Sequence, residues 1–359
     1  MSAARRLLLL TRHSILGSSS RLRLLAYRPW LEQAGFRVEV SPLFDDAYLR
    51  IFYATGRAPT GHVLRAYLRR LRTLFTLRDY GLLWIEKELF PFLPGAFDRI
   101  LQHVGTPYVV DYDDATFHRY DQHRSVLVRA LLGRRLVPLL RGASVVTAGN
   151  SYLAAYARRA GAVDVREFPT VVNIADYAVN SEPEGSELRV GWIGSPSTAQ
   201  YLGLVREPLR QLAGERPVRL VVIGAREIPK MDVPVEFHDW SADRESALLG
   251  TLHLGIMPLR DGPWERGKCG YKLIQYMACA KPVIASAVGV NPVIATPSVG
   301  LLAADESEWL PALRTLASDP ALRRKLGQAG RKVVATDYSL QTRGPQLAKQ
   351  LAEVADLQR

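Results

Sequence analysis

The chain has 359 residues, two of them cysteines, and 47 Lys and Arg against 35 Asp and Glu for a formal net charge of +12. That length points to two domains, and 48% hydrophobic with 23% charged residues excludes wholesale disorder. Two cysteines exclude a disulfide scaffold and fit a reducing compartment, and no apolar run approaches the ~20 residues of a membrane span. Leu7–Leu10 after Arg5 and Arg6 imitates the start of a leader peptide. Arg12 and His13 end that run after four residues, short of the ~7–15 a leader needs, so it reads as a buried first strand.

Taken in chain order, Leu7–Leu10, Phe36–Val40, Gly81–Ile85, Tyr108–Val110, Ser144–Thr147 and Val165–Phe168 have strand length and continuous apolarity. Such runs fit parallel strands buried on both faces. Amphipathic stretches at Leu22–Ala34, His62–Leu77 and Arg124–Leu140 supply helices between them. A polar Pro/Gly-bearing segment, 180–187, marks a linker. The rhythm then restarts with Leu188–Ile193, a helix to Ala213, Val218–Ile223, Val235–His238, Leu254–Pro258, a helix at Lys272–Ala278 and Pro282–Ala285, and the chain is helical from Glu306. Two βα series predict two doubly wound, Rossmann-like α/β domains facing across a cleft. The boundaries read as 1–181, 182–337 and a final helix over 338–359.

Charge is unevenly spread: residues 1–180 hold 25 basic and 15 acidic side chains, the remainder 22 and 20. A basic first half calls for an anionic partner or is an Arg-rich solvated surface. On a helix over His62–Phe75, Leu64, Leu68, Leu71 and Phe75 share one side, with Arg65, Arg69 and Arg72 beside or opposite. That pattern serves either an anionic lipid surface or a core face with a solvated back. Nucleic acid is not expected, because the arginines are not interleaved with exposed-looking aromatics for stacking.

Three segments carry candidate chemistry. In Gly191–Thr198, Gly194 lets a ligand approach the backbone, while Ser195, Ser197 and Thr198 either donate to an anion or cap a turn. Gly262–Cys269 nearly matches a triphosphate loop, but Cys269 replaces the hydroxyl that binds magnesium. A different anion cradle using Lys268 and the Gly270 backbone fits better. Asp111–Asp114 ends a strand, with His118 after it, and serves either as an acid/base or sugar-binding cluster or as a helix cap. No set of His, Cys and carboxylates has zinc spacing.

Together, Gly191–Thr198, Leu254–Leu259, Gly267–Ala278, Lys281–Ser286, Val288–Asn291, Gly300–Leu302 and Leu322–Arg331 resemble the retaining glycosyltransferases of family 4. Val145–Tyr152 and Pro169–Tyr177 extend the resemblance into the first half. It implies a GT-B fold with the acceptor on the first domain, a nucleotide sugar on the second, and a final helix returning to the first. It further implies hexose transfer with retention from a nucleotide diphosphate sugar to a glycan or lipid-linked acceptor, with no cofactor or obligatory metal. The family's acidic E-x7-E pair falls on Gly267 and Gln275, so both carboxylates are missing. Gln275 retains an amide for ribose hydroxyls. The family's basic pair after the Gly191–Gly194 strand is also absent, leaving Lys268 or Lys272 to neutralise the diphosphate.

By the same resemblance Cys269, Gly270, Tyr271 and Trp240 line the donor, with Trp240 stacking on the base. Asp113 contacts the donor sugar or organises the acceptor hydroxyl, and Ser19, Ser20, Arg21, Asp114 and His118 meet the acceptor. The expected location is the cytoplasm, peripherally on the inner face of the plasma membrane. The runner-up function is a sugar-nucleotide-binding protein without transferase activity.

Overall fold

The computed structural model describes residues 5–356, the side chain of residue 53 aside. The chain forms two compact units, one running to Thr170 and resuming at Arg343, the other spanning Val171–Thr342.

The first unit is built on β1 (Arg5–Leu10), β2 (Phe36–Val40), β3 (Leu82–Glu86), β4 (Tyr108–Tyr112), β5 (Val145–Ala148) and β6 (Val165–Glu167). All pair in parallel in the order β2-β1-β3-β4-β5-β6. Every residue of β3, β4 and β5 is buried, Glu86, Asp111 and Thr147 included, as in strands covered on both faces. The second unit repeats the plan with β7 (Leu188–Ile193), β8 (Val218–Ile223), β9 (Val235–His238), β10 (Leu254–Met257), β11 (Val283–Ser286) and β12 (Gly300–Ala303). Its order is β12-β11-β10-β7-β8-β9, again all parallel. The fold is therefore doubly wound α/β in both units. In such sheets ligands bind beyond the strand C-termini where the strand order reverses, which here means between β1 and β3 and between β7 and β10.

Several expected helices are divided. Leu22–Ala34 becomes Ser18–Arg23, a 3-10 turn and Arg28–Gln33, because Pro29 can open a helix but not continue one. Arg124–Leu140 likewise splits into Val126–Leu132 and Val137–Gly142, the second opened by Pro138. A helix at Asp46–Thr55, capped by Asp45 accepting from the Tyr48 amide, adds to the expected set. The polar segment 180–187 lies on the second unit, where Glu182 receives both Nε and a terminal nitrogen of Arg323 at 2.8 and 2.9 Å. The final helix, Leu340–Asp356, ends against β1: Arg5 reaches Asp356 at 2.8 Å and Trp30 covers Gly344.

Helix Thr60–Leu74 corrects one reading. Its leucine stripe is not a core face: Leu64 is 62% and Phe75 89% exposed, and Leu68 and Leu71 are also exposed. The buried side is Ala66 and Arg70, with Val63 and Tyr67 partly covered against Leu43 and Phe44. Arg70 donates to the carbonyls of Thr11 and Ser41, tying the helix to the ends of β1 and β2. Burial lowers its guanidinium to about 9. Arg69 is also engaged, donating to the Leu43 carbonyl at 2.8 Å and facing Asp45 at 3.6 Å. Among the described residues no helix is long and apolar enough to cross a membrane.

Candidate active site

In the second unit the residues expected to bind a donor gather at the reversal of strand order. β7 delivers Gly194, whose Cβ, if it had one, would stand 2.7 Å from the Trp192 ring and 2.8 Å from Cε of Lys272. Glycine is thus required for Lys272 to lie across the end of β7, where its Nζ is 5.4 Å from the Trp192 ring centroid. The missing Cβ of Gly224, after β8, would meet the Gly194 carbonyl at 2.6 Å and Cβ of Trp240 at 3.3 Å. Gly194, Gly224, Trp240 and Lys272 therefore converge beyond the strand ends. Trp240 keeps part of its ring exposed while its indole N–H donates to Glu245 at 2.5 Å. The Glu245 carboxylate also accepts from Tyr177.

Gly270 opens helix Tyr271–Ala278 with φ 66°, a left-handed conformation that costs glycine little, and no side chain caps the first turn. A Cβ there would strike Ile294 at 2.3 Å. Tyr271 and Lys272 occupy that first turn, and Gln275 is buried one turn further on. Lys268 sits before the helix with its Nζ 5.3 Å from the Trp264 ring centroid. Cys269 is buried, its thiol 3.8 Å from the Gly267 carbonyl. Ser195 is exposed and shares a 3.0 Å hydrogen bond with Ser197, while the Thr198 hydroxyl donates to the Ser195 carbonyl. The helix they open, Pro196–Ala199, is a single turn. Glu265, which sequence reasoning passed over, lies two residues before Gly267 and accepts from the Tyr201 hydroxyl.

In the first unit, a cavity of about 160 Å³ opens at the ends of β1, β3 and β4, among Arg12, His13, Ser19, Glu86, Lys87 and Asp114. Of the expected acceptor residues, Ser19 and Asp114 line it. Ser20 lies beneath, fully buried, accepting from the His13 amide at 3.0 Å and donating to Glu86 Oε2 at 2.5 Å. Arg21 donates to the Ile15 carbonyl at 3.4 Å. His118 has both ring nitrogens engaged, with Asp121 and with the Tyr152 hydroxyl at 2.8 Å each. Asp113 pairs with Lys87 at 2.7 Å. Burial works to raise its carboxyl, but Lys87, then Arg23, bring it down to about 2.

The residues that sequence reasoning missed here are Glu86 and Lys87, which close β3. Lys87 has φ 61°, costly for a residue with a side chain and common at functional sites, and its amide donates to the Asp111 carbonyl. Burial raises the Glu86 carboxyl against the pull of Lys87 and the hydrogen bond from Ser20. The visible signal was Glu86-Lys87-Glu88 at the end of an apolar strand, in a fold that binds ligands at strand ends. Below the cavity, Arg23 grips Asp111 with two nitrogens at 2.6 and 2.9 Å and reaches the Phe168 carbonyl at 2.8 Å. Thr147 completes this pair, donating to Asp111 at 2.6 Å.

Residues 187–319, within the second unit, match the profile of the family described as Glycosyl transferases group 1. No curated protein matches in sequence. Among solved structures the chain is similar to sucrose-phosphate synthase from Thermosynechococcus elongatus, at TM-score 0.72 and 15% identity over 98% of this chain and 99% of that one. It is similar to HepE of Anabaena in complex with UDP and glucose, at 0.72 and 16% over 97% and 100%. A UDP-forming α,α-trehalose-phosphate synthase from Burkholderia xenovorans aligns at 0.64 and 14% over 98% and 99%. At these identities the likeness is one of fold alone, the two-unit α/β GT-B fold.

Proposed function

We propose that the chain is a glycosyltransferase that moves a hexose, with retention of configuration, from a nucleotide diphosphate sugar to a glycan or lipid-linked acceptor. The observation that carries this reading is the convergence of Gly194, Gly224, Trp240 and Lys272 at the strand-order reversal of a glycosyl transferases group 1 domain. The glycines let Lys272 and Trp240 pack onto the strand ends, the half-exposed Trp240 offers a face to a base, and Lys272 with Lys268 balances the charge of a departing diphosphate. Transfer on this reading needs no metal, since the lysines supply the countercharge. HepE was crystallised with UDP-glucose, which makes a uridine diphosphate sugar the first donor to test.

The acceptor side belongs on this reading to the first unit. The exposed Leu64, Leu68, Leu71 and Phe75, flanked by Arg65 and Arg72, suit an anionic membrane surface carrying a lipid-linked acceptor. Arg69 contributes less, being held by Leu43 and Asp45.

One observation favours a second reading, binding without transfer: Gly267 and Gln275 stand where resemblance places two carboxylates. Thermal-shift screening of nucleotide sugars, then turnover with the best stabiliser, separates the two. Stabilisation with neither transfer nor hydrolysis selects the binding protein, and no stabilisation by any nucleotide sugar defeats both.

A further inference from the structure

Residues 121–134 leave the body of the first unit and return to it at one buried carboxylate. Tyr120, just before them, donates to Glu88 at 2.7 Å, and Arg135, just after, donates to the same group. Between these anchors lies the helix Val126–Leu132, none of whose residues is buried. At about 100° per residue, Val126, Ala130, Leu127 and Leu131 share an arc of about 140°. All four are exposed, Val126 by 68%, Leu127 by 67% and Leu131 by 68%. Val128 and Leu132, on the other side, are half-buried. A helix this short is marginal in water without burial of one face, and an apolar arc turned outward marks a surface that something else covers. Beside the root of the segment Phe92 is also exposed, at φ 61°, a backbone conformation costly for a bulky side chain. Its ring packs edge-on against Tyr120, centroids 5.4 Å apart, and its amide donates to the Tyr120 hydroxyl at 3.1 Å. Arg124 and Arg134 flank the helix and Arg129 stands on it, all exposed. Arg129 donates to the His123 and Arg124 carbonyls at 2.6 and 3.1 Å, which leave its charge in place. The single acid of the segment, Asp121, lies 2.8 Å from Nδ1 of His118. A second copy of the chain would set these arginines against their own counterparts across a two-fold axis. An anionic lipid surface accepts the leucines and the arginines together.

We propose that residues 121–134, with Phe92, form a membrane-docking element. Val126, Leu127 and Leu131 enter the boundary between headgroups and acyl chains of an anionic bilayer, while Arg124, Arg129 and Arg134 meet its phosphates. The element is separate from the leucine-rich face of Thr60–Leu74, and it stands whether or not the chain is a transferase. The short helix leading into it, His118–Asp121, carries Arg119 to the wall of the first-unit cavity, so the element begins at that cavity's edge.

The test is co-sedimentation of the full chain with vesicles of phosphatidylcholine alone and of phosphatidylcholine with phosphatidylglycerol, joined to a local reporter. Leu127→Ser with Leu131→Ser should weaken binding to the anionic vesicles roughly tenfold or more, since the transfer of two leucine side chains out of water is lost. Arg124→Gln with Arg134→Gln should also weaken it roughly tenfold or more, and added salt should narrow that difference. In Leu127→Trp the emission gained over wild type should shift to the blue on anionic vesicles and be quenched by bromine on the lipid chains. None of these residues is buried, so thermal stability should stay that of the wild type. The conservative Leu127→Trp decides the matter alone if a double variant does not fold. Failure of the wild type to sediment with anionic vesicles, or equal binding to both kinds of vesicle, overturns the proposal. So does binding by the serine variant within twofold of wild type, or failure of bromine to quench the added emission. A dimer in vesicle-free solution that the serine substitutions dissolve overturns it as well, by making this face a contact between copies. Stabilisation by UDP, followed separately, should be unchanged in every variant. Its absence alongside leucine-dependent lipid binding would defeat the transferase reading and leave the docking element standing.

Discussion

Asp98 is a buried carboxylate with too few partners, and its replacement by asparagine makes a quantitative prediction. It has no exposed surface and shares Arg135 with Glu88. Glu88 takes the better geometry, accepting in addition from Arg12 at 3.0 Å and from the Tyr120 hydroxyl at 2.7 Å. Asp98 is left 3.4 Å from Arg135 with Oδ1 unpartnered. Burial, opposed by Arg135 and helped by Glu88, raises its carboxyl to about 7. At about 1.4 kcal/mol per tenfold, the gap from an ordinary Asp near 4 corresponds to about 4 kcal/mol. The sign follows from the raised value: the stabilisation is complete below pH ~4 and is lost as pH rises through about 7. Asp98→Asn should therefore match the wild type below pH ~4, lead it by about 1.5 kcal/mol at pH 5, and exceed it at pH 8.5 by up to about 4 kcal/mol, less whatever Arg135 loses with its second carboxylate. Urea unfolding of both proteins at the two pH values measures this, and the difference between them cancels titrations they share. An equal effect of the substitution at pH 5 and 8.5 would show that Asp98 is charged throughout and refute the argument.

Lys272→Ala and Lys268→Ala should each lower kcat by about 10²–10³ with thermal stability shifted by about 1 kcal/mol or less, as expected for cations acting on developing charge; wild-type turnover in either removes that lysine from the mechanism. Gly194→Ala drives a methyl into Trp192 and Lys272 and should cost about 1–3 kcal/mol of stability together with UDP affinity, read by calorimetry. Arg23→Met strands Asp111 without its partner and should destabilise the first unit by about 3–5 kcal/mol in denaturant unfolding, much of it recovered by adding Asp111→Leu. Arg65→Glu with Arg72→Glu should reduce co-sedimentation with phosphatidylglycerol vesicles by tenfold or more, at about 1 kcal/mol per charge near the surface; unchanged sedimentation would return the exposed leucines to plain solvent contact.

The strands were legible because burial on both faces keeps most of their positions apolar, and eleven of the twelve are visible as short, largely apolar runs. The twelfth, Gly300–Ala303, is four residues long and half covered. Gly194 after β7 and Asp114 after β4 stand at the strand ends where parallel sheets place ligands. Helix facing was not legible. Thr60–Leu74 carries two rival stripes, Leu64-Leu68-Leu71-Phe75 and Val63-Ala66-Tyr67-Arg70, and periodicity alone prefers the one richer in leucine. The fold buries the other because Arg70 finds the Thr11 and Ser41 carbonyls, a bond between residues 59 and 29 positions apart that no local pattern encodes.

Glu86 escaped notice for the same reason. Three successive charges after a strand read as a solvated loop until the Ser18–Arg23 segment folds over them and supplies Ser20. Its hydroxyl occupies one carboxylate oxygen and leaves the other buried without a hydrogen-bond partner. Asp113 and Glu86 thus exchange the roles their sequence neighbourhoods assign them. The carboxylate in the conspicuous Asp111–Asp114 cluster is the one neutralised by Lys87, and the carboxylate in an inconspicuous charge run is the one with capacity to spare. A buried carboxylate with an unpaired oxygen is recognised in this sheet by what its neighbours leave undone rather than by the company of other acids.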